Sequence, residues 1–399
     1  MKKPMVQLMC AAAAAMSVGA QAQEASATNL KEALTEADVK LNLRLRYEDV
    51  SWDGLEDSDA LTLRTRLSFT SADYHGFGLM LEMDDVTALT EVDYRTAGND
   101  ASNPGTAIIA DPEGTEVNQS YLSYQGFDTT FRYGRQRILL DNQRFVGGVG
   151  WRQNEQTYDA FSIKNNSADD ITLFYSYVYN VNRIFGEENP IGDHKHESHL
   201  LNAHFGGWDA GSLSAYAYLL DNKTAAALSS DSYGARWMGK VGDSFTYNLE
   251  YATQTDAGDN PVSYDADYML AEAGLMVGPV KLGGGYELLG SDEGRAAFNT
   301  PLATLHKFQG WTDRFLTTPD DGVEDFYLSA SGAVAGIKLL ATYHDLASDY
   351  GGIDYGQELD LSAAKQLGPV TVLVKYADYQ ADDYGSDTQK FWLQLSSVF

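Results

Sequence analysis

The chain has 399 residues, 57 of them acidic and 28 basic, for a formal net charge of −29. Nucleic acid is excluded as a partner, because binding it needs a basic footprint. Past the amino terminus no apolar run approaches the roughly 20 residues of a membrane-spanning helix. The mean hydropathy of −0.32 would suit a soluble protein, but also a transmembrane barrel, where only alternate residues face lipid.

Lys2 and Lys3 precede an apolar stretch from Met5 to Val18, and Ala20-Gln21-Ala22 offers small residues at cleavage positions. Residues 1–22 therefore read as a secretory signal peptide. Cys10, the only cysteine, lies within it, so the mature chain has no disulfide and no thiol chemistry. Loss of Lys2 and Lys3 leaves 26 basic residues against 57 acidic, a charge of −31. Residues 23–37 read as a short, weakly helical lead-in, and residues 38–399 as one β-barrel domain.

From residue 39 the pattern has period two. Val39, Leu41, Leu43, Leu45 and Tyr47 share one face; Lys40, Asn42, Arg44 and Arg46 share the other. Leu61, Leu63, Leu67 and Phe69 repeat this, with Thr62, Arg64, Arg66 and Ser68 behind them. Each segment reads as a strand with a lipid face and a wet face. A turn near residues 52–58 would set Arg44 opposite Arg66 and Arg46 opposite Arg64. Facing like charges need an offset. A further turn near Asp73-Tyr74 would supply one, by bringing Glu82 and Asp84 opposite Arg66 and Arg64. Two readings stay open: a salt-bridge ladder that stiffens the wall, or a ladder that also presents guanidinium planes to an anionic ligand. Eleven of the fourteen arginines lie before residue 190.

Residues 87–115 form a long connection rich in Gly, Asn, Asp and Pro. A dense cluster follows: Arg132-Tyr133-Gly134-Arg135-Gln136-Arg137, Arg144-Phe145-Val146-Gly147-Gly148, then Trp151-Arg152-Gln153-Asn154. Glycines and amides around basic residues suit a loop, about residues 138–156, folded inward to narrow a pore. Strict alternation from Phe131 and Tyr133 would turn Arg135 outward, unless the strand bulges or ends at Gly134. His194-Lys195-His196 falls in acidic surroundings and reads as solvated loop rather than metal site. His75, His199, His204, His306 and His344 show no spacing to a nucleophile. No P-loop, dinucleotide fingerprint or cysteine-based metal site is present. We therefore expect no catalytic residues, no cofactor and no metal.

Later strands repeat the alternation at Phe245/Tyr247/Leu249/Tyr251, Val280/Leu282/Gly284/Tyr286 and Val370/Val372/Val374/Tyr376. Short turns, such as Gly206-Gly207-Trp208-Asp209 and Gly332-Ala333-Val334-Ala335-Gly336, alternate with longer acidic connections. That is the periplasmic/extracellular asymmetry of an outer-membrane barrel, and the count is about 18 strands (16–18). The longest connection, residues 290–322, carries Phe298, Phe308, Trp311 and Phe315 and should pack against something. The chain ends with Phe391, Leu393, Leu395 and Phe399 on one face. As a free edge that strand would invite aggregation, and pairing it with the first strand removes the edge. An ending in Phe399 also resembles the signal read by the barrel-assembly machinery, which is an expected partner along with outer-membrane lipid and lipopolysaccharide.

The 132–154 cluster resembles the alginate export family of outer-membrane barrels, whose members carry a similar Gly-Arg-Gln, an Arg-Phe/Leu-Gly and a Trp-Arg-Gln element. The block from Thr300 to Trp311, continued through Asp313, Phe315 and Thr318-Pro319, is similar to a second family element. The resemblance implies an 18-stranded barrel in the bacterial outer membrane with an electropositive lumen that passes polyuronate. On that basis Arg132, Arg135, Arg144 and Arg152 join Arg44, Arg46, Arg64 and Arg66 as the expected substrate path. Glu82 and Asp84 would be pore-lining carboxylates, and Phe308 and Trp311 loop-packing residues. The expected cargo is anionic oligo- or polysaccharide, or small anions. The alternatives are a general diffusion porin and a structural or adhesive barrel.

Overall fold

The computed structural model describes residues 27–399; the signal peptide read over residues 1–22 lies outside them, as do residues 23–26. The described part opens on a short helix, α1 (Leu30–Thr35), capped where the Asn29 side chain accepts from the Glu32 N–H at 3.0 Å. The Ala72 N–H donates to the Ala33 carbonyl at 3.0 Å, which docks this helix at the end of the second strand.

Eighteen strands then form one antiparallel sheet. The first six are β1 (Asp38–Trp52), β2 (Ser58–Thr70), β3 (Phe77–Ala88), β4 (Gly114–Gly126), β5 (Thr129–Gln136) and β6 (Thr157–Ala168). Next come β7 (Ile171–Asn182), β8 (Asp193–Trp208), β9 (Gly211–Leu220), β10 (Ser230–Val241), β11 (Phe245–Asp256) and β12 (Asp265–Val277). The last six are β13 (Val280–Leu289), β14 (Val323–Val334), β15 (Ile337–Ala347), β16 (Asp354–Leu367), β17 (Val370–Ala381) and β18 (Thr388–Val398). Each strand pairs with its chain neighbours, and β18 pairs back onto β1, so the sheet is closed. Leu41 and Phe399 complete the seam by exchanging both backbone hydrogen bonds at 2.9 Å. The barrel therefore has no edge strand to protect.

Alternation sets the two faces. Val39, Leu67, Leu122, Leu249 and Leu328 point outward and are exposed, as a lipid-facing surface requires. Arg46, Glu48, Arg64, Glu82, Asp84, Glu287 and Glu358 point inward and are buried. One end of the barrel has short turns, such as the two-residue links after β4, β6 and β8. The other carries the long loops at residues 89–113, 137–156 and 290–322.

Register corrects two pairings expected from sequence. The first hairpin centres one residue earlier, closed by Leu55 N–H to Trp52 carbonyl at 2.9 Å. Arg44 consequently faces Arg64, while Asn42 faces Arg66 and Arg46 faces Thr62. In the next hairpin Asp84 faces Arg66 and Glu82 faces Ser68. Both shifts are by two residues, so every side chain keeps its face.

The core lies inside the barrel. Phe145 and Val146 of one long loop and Phe298 and Leu302 of another bury against inner-face Tyr216, Tyr218 and Tyr268. Phe145 sits 5.0 Å from the Tyr216 ring, 5.3 Å from Tyr268 and 5.7 Å from Phe298. Each such aromatic contributes about 2–3 kcal/mol of burial.

Candidate functional site

The inner wall of β1 and β2 meets the loops that fold in from the long-loop end. Arg66 is held on two sides. Its Nε and Nη2 donate to Asp84 at 2.6 and 2.5 Å, and its Nη1 reaches Glu155 of the 137–156 loop at 2.5 Å. Glu82 lies 3.8 Å away and also receives Ser68 and Arg137. Arg137 in turn grips Glu155. Burial works against charge on Glu155, but Arg137, Arg66 and Arg64 outweigh it and hold its carboxyl well below the usual range. For Arg66, Glu82 and Asp84 the ladder reading describes what is there.

Arg46 pairs with Asp111 of the 89–113 loop at 3.3 Å, donates to Gln394 of β18 at 2.7 Å, and lies 4.1 Å over the Trp151 ring. Arg152 runs from the loop back to the wall, bound to Glu48 at 2.9 Å and to Asp313 at 3.0 Å. Arg144 crosses to the opposite wall. It pairs with Glu287 of β13 at 2.7 Å, donates to Thr300 and Gln309 at 3.1 Å, and lies 4.7 Å over Phe308. These three cations bind loop to wall.

Arg44, Arg64 and Arg132 differ. Arg44 donates only to the carbonyls of Gly150, Trp151 and Arg152, at 3.1–3.2 Å. Arg64 reaches Asn42 at 2.8 Å and the Gln153 carbonyl at 3.5 Å, and its Nε has no partner. The Arg132 side chain makes no hydrogen bond among the described residues, and its guanidinium lies 5.1 Å from the Tyr121 ring. None of the three has a carboxylate within ion-pair distance among the described residues. Arg135 is not with them. It shares the outer face with exposed Tyr133 and pairs with Asp159 and Glu187 at 2.9 Å, as unbroken alternation requires.

A second focus was not legible in sequence. Lys375 projects inward from β17, with its ammonium 3.6 Å from the Trp311 ring, 4.0 Å from Trp151 and 5.1 Å from Trp392. That cation–aromatic cage joins both inward loops to β17 and β18. Lys375 Nζ is 2.7 Å from His306 Nε2, and His306 Nδ1 is 2.7 Å from Asp313. A lysine ammonium only donates, so His306 accepts at Nε2 and donates from Nδ1. Asp313 also receives Lys390 at 2.8 Å. Burial opposes its charge, yet His306, Lys390 and Arg152 around it hold its carboxyl well below the usual range. The faint sequence signal was Lys375 itself, a lone cation on the inner face of an apolar strand.

His194 and His196 are not solvated loop residues. They lie on the inner face of β8, buried, where Asn222 sits 3.0 Å from His194 and Ser198 sits 2.9 Å from His196.

A closed 18-stranded barrel with a lipid face outside and charged residues inside defines an outer-membrane channel. The sequence profile of the alginate export family matches residues 36–277, and the chain belongs to that family. No curated protein matches it in sequence. Among solved structures it is similar to Pseudomonas aeruginosa OpdK, determined with vanillate, at 14% identity and TM-score 0.70 over 92% of this chain and 99% of that one. It is also similar to P. aeruginosa OccK9 (OpdG), at 16% identity and TM-score 0.71 over 92% and 99%. Acinetobacter baumannii OccAB2 matches at 16% identity and TM-score 0.69 over the same shares. At these identities the likeness concerns the fold.

Proposed function

We propose that the lumen is a path for anionic solutes, with acidic oligosaccharides as the cargo class, and that Arg44, Arg64 and Arg132 carry the selectivity. The supporting observation is the division among inner-face arginines. Arg46, Arg66, Arg144 and Arg152 are neutralised by Asp111, Asp84, Glu287 and Glu48, whereas Arg44, Arg64 and Arg132 have no such counter-ion among the described residues. A guanidinium stays charged when dehydrated and matches a carboxylate in a bidentate way, so this wall favours carboxylates over neutral solutes. The alginate export family and the vanillate bound by OpdK, also a carboxylate, agree with that class.

The net charge of −29 does not oppose this. Asp259, Asp265, Asp382, Asp383 and Asp387 are exposed around the long-loop end, and charges more than about 8 Å apart are screened at physiological salt.

The test is single-channel recording in a planar bilayer under a KCl gradient. Wild type should give an anion-selective reversal potential and be blocked by mannuronate and guluronate oligomers but not by a neutral oligosaccharide. Arg132→Gln should shift the reversal potential toward zero. Cation selectivity without acid-specific block would assign the protein to general diffusion instead.

A further inference from the structure

Of the fourteen arginines, two make no side-chain hydrogen bond among the described residues. Arg132 is one, and Arg314 is the other. Arg314 belongs to the 290–322 loop, at the long-loop end of the barrel. Its Nε and Nη1 are buried without an acceptor, and its guanidinium carbon lies over Trp52, the last residue of β1, 4.2 Å from the ring centroid. Tyr379 is 5.9 Å away. The next residue, Phe315, is buried and stacks on Tyr355 at 5.4 Å and on Tyr384 at 6.0 Å. Gly385 brings bare backbone over the guanidinium; a Cβ there would come within 2.8 Å of Nη2.

The missing counter-ion is informative because acids are plentiful nearby. Asp382, Asp383 and Asp387 flank Gly385 in the loop between β17 and β18, and none pairs with Arg314. Asp387 instead accepts the Ala381 N–H at 2.8 Å. A cation beside that many carboxylates, yet held on an indole face, keeps its donors uncommitted. Two aromatic surfaces adjoin it, partly exposed Trp52 and exposed Tyr384. A guanidinium edge selects a carboxylate, and amphipathic aromatic faces take the C–H face of a sugar ring.

We propose that Arg314, Trp52 and Tyr384 form a binding site at the extracellular mouth for a carboxylate-bearing sugar ring, distinct from the arginine wall inside. The site would capture an acidic sugar at the acidic rim before it reaches Arg44, Arg64 and Arg132. This rests on the anion-path reading for its ligand class, but not on conduction.

The experiment is calorimetric titration of mannuronate trisaccharide into refolded full-length protein, with mannotriose as neutral control. Arg314→Gln should remove one class of trisaccharide sites, or weaken it about tenfold or more, the loss of one charge-assisted pair. Arg132→Gln should leave that class intact. Tyr384→Ala, which alters an exposed side chain, should weaken both sugars and serves as second probe should Arg314→Gln fail to fold. Wild-type stoichiometry and affinity in both mouth variants, or no binding to wild type, would overturn the site. Bilayer recording separates the two ideas. A cation-selective channel whose trisaccharide binding still needs Arg314 keeps the site and refutes the anion path. An anion-selective channel with binding indifferent to Arg314 does the reverse.

Discussion

Glu155 sits between Arg66 and Arg137, buried, with Asn118 as a further donor at 3.3 Å. Its carboxyl is held well below the usual range, so it contributes stability above the unfolded value of about 4.3. That contribution is lost only as pH falls through the much lower folded value. Protease protection of the 137–156 loop should therefore persist from pH 7 to pH 4; loss of protection already near pH 4 would contradict the pairing. Glu155→Gln leaves Arg66 and Arg137 undercompensated in a buried site, and should cost about 3 kcal/mol at pH 7, measured by denaturant unfolding. At this scale the sequence supplied the inner-face arginines but not their commitments. Asp111 is 65 residues from Arg46, and Asp313 is 161 residues from Arg152. Spacing along a strand carries no information about partners that far away.

The two inward loops behave as one element. Val146 and Leu302 form a parallel bridge, Gly147 N–H donates to the Leu302 carbonyl at 2.8 Å, and Thr304 N–H donates to Gln143 at 3.0 Å. Gly147 lies against Thr304 so closely that a Cβ would clash with its backbone nitrogen at 2.9 Å. The Lys375 cage then fixes the joined loops to the wall. Trp151→Ala removes one wall of that cage and the stacking of His306, 4.8 Å away. It should raise single-channel conductance and lower stability by less than the about 3–5 kcal/mol lost on emptying a fully buried aromatic site, because Trp151 is only partly buried. Unchanged conductance would mean that the loops hold their place without the cage. The inward fold of residues 138–156 was readable from glycine and amide content; for 290–322 the aromatics indicated packing, but not whether the loop enters the lumen or covers its mouth. Their mutual pairing was not, because it depends on both arriving in the same enclosed space.

For the whole molecule, closure is the event on which everything else depends. The seam pairs β1 with β18 from Asn42↔Val398 to Trp52↔Thr388, and Leu41 with Phe399 extends it. Deleting Phe399 removes the last two seam hydrogen bonds, and should lower the yield of barrel that resists detergent unfolding at room temperature; normal yield would separate the residue from assembly. The sequence left Arg135 open, between an outward turn from alternation and a place on the substrate path from the family motif. By itself it determined a barrel of about 18 strands, the lipid and lumen faces, and the alternation of short turns and long loops. All of these follow from a period of two, which is local and survives any shift of register by two. Only the tertiary structure decided which arginine faces which, that His194 and His196 are buried in β8, and that Arg44, Arg64, Arg132 and Arg314 lack counter-ions among the described residues. Those outcomes depend on where loops land inside a closed wall, and closure brings together residues that no local pattern relates.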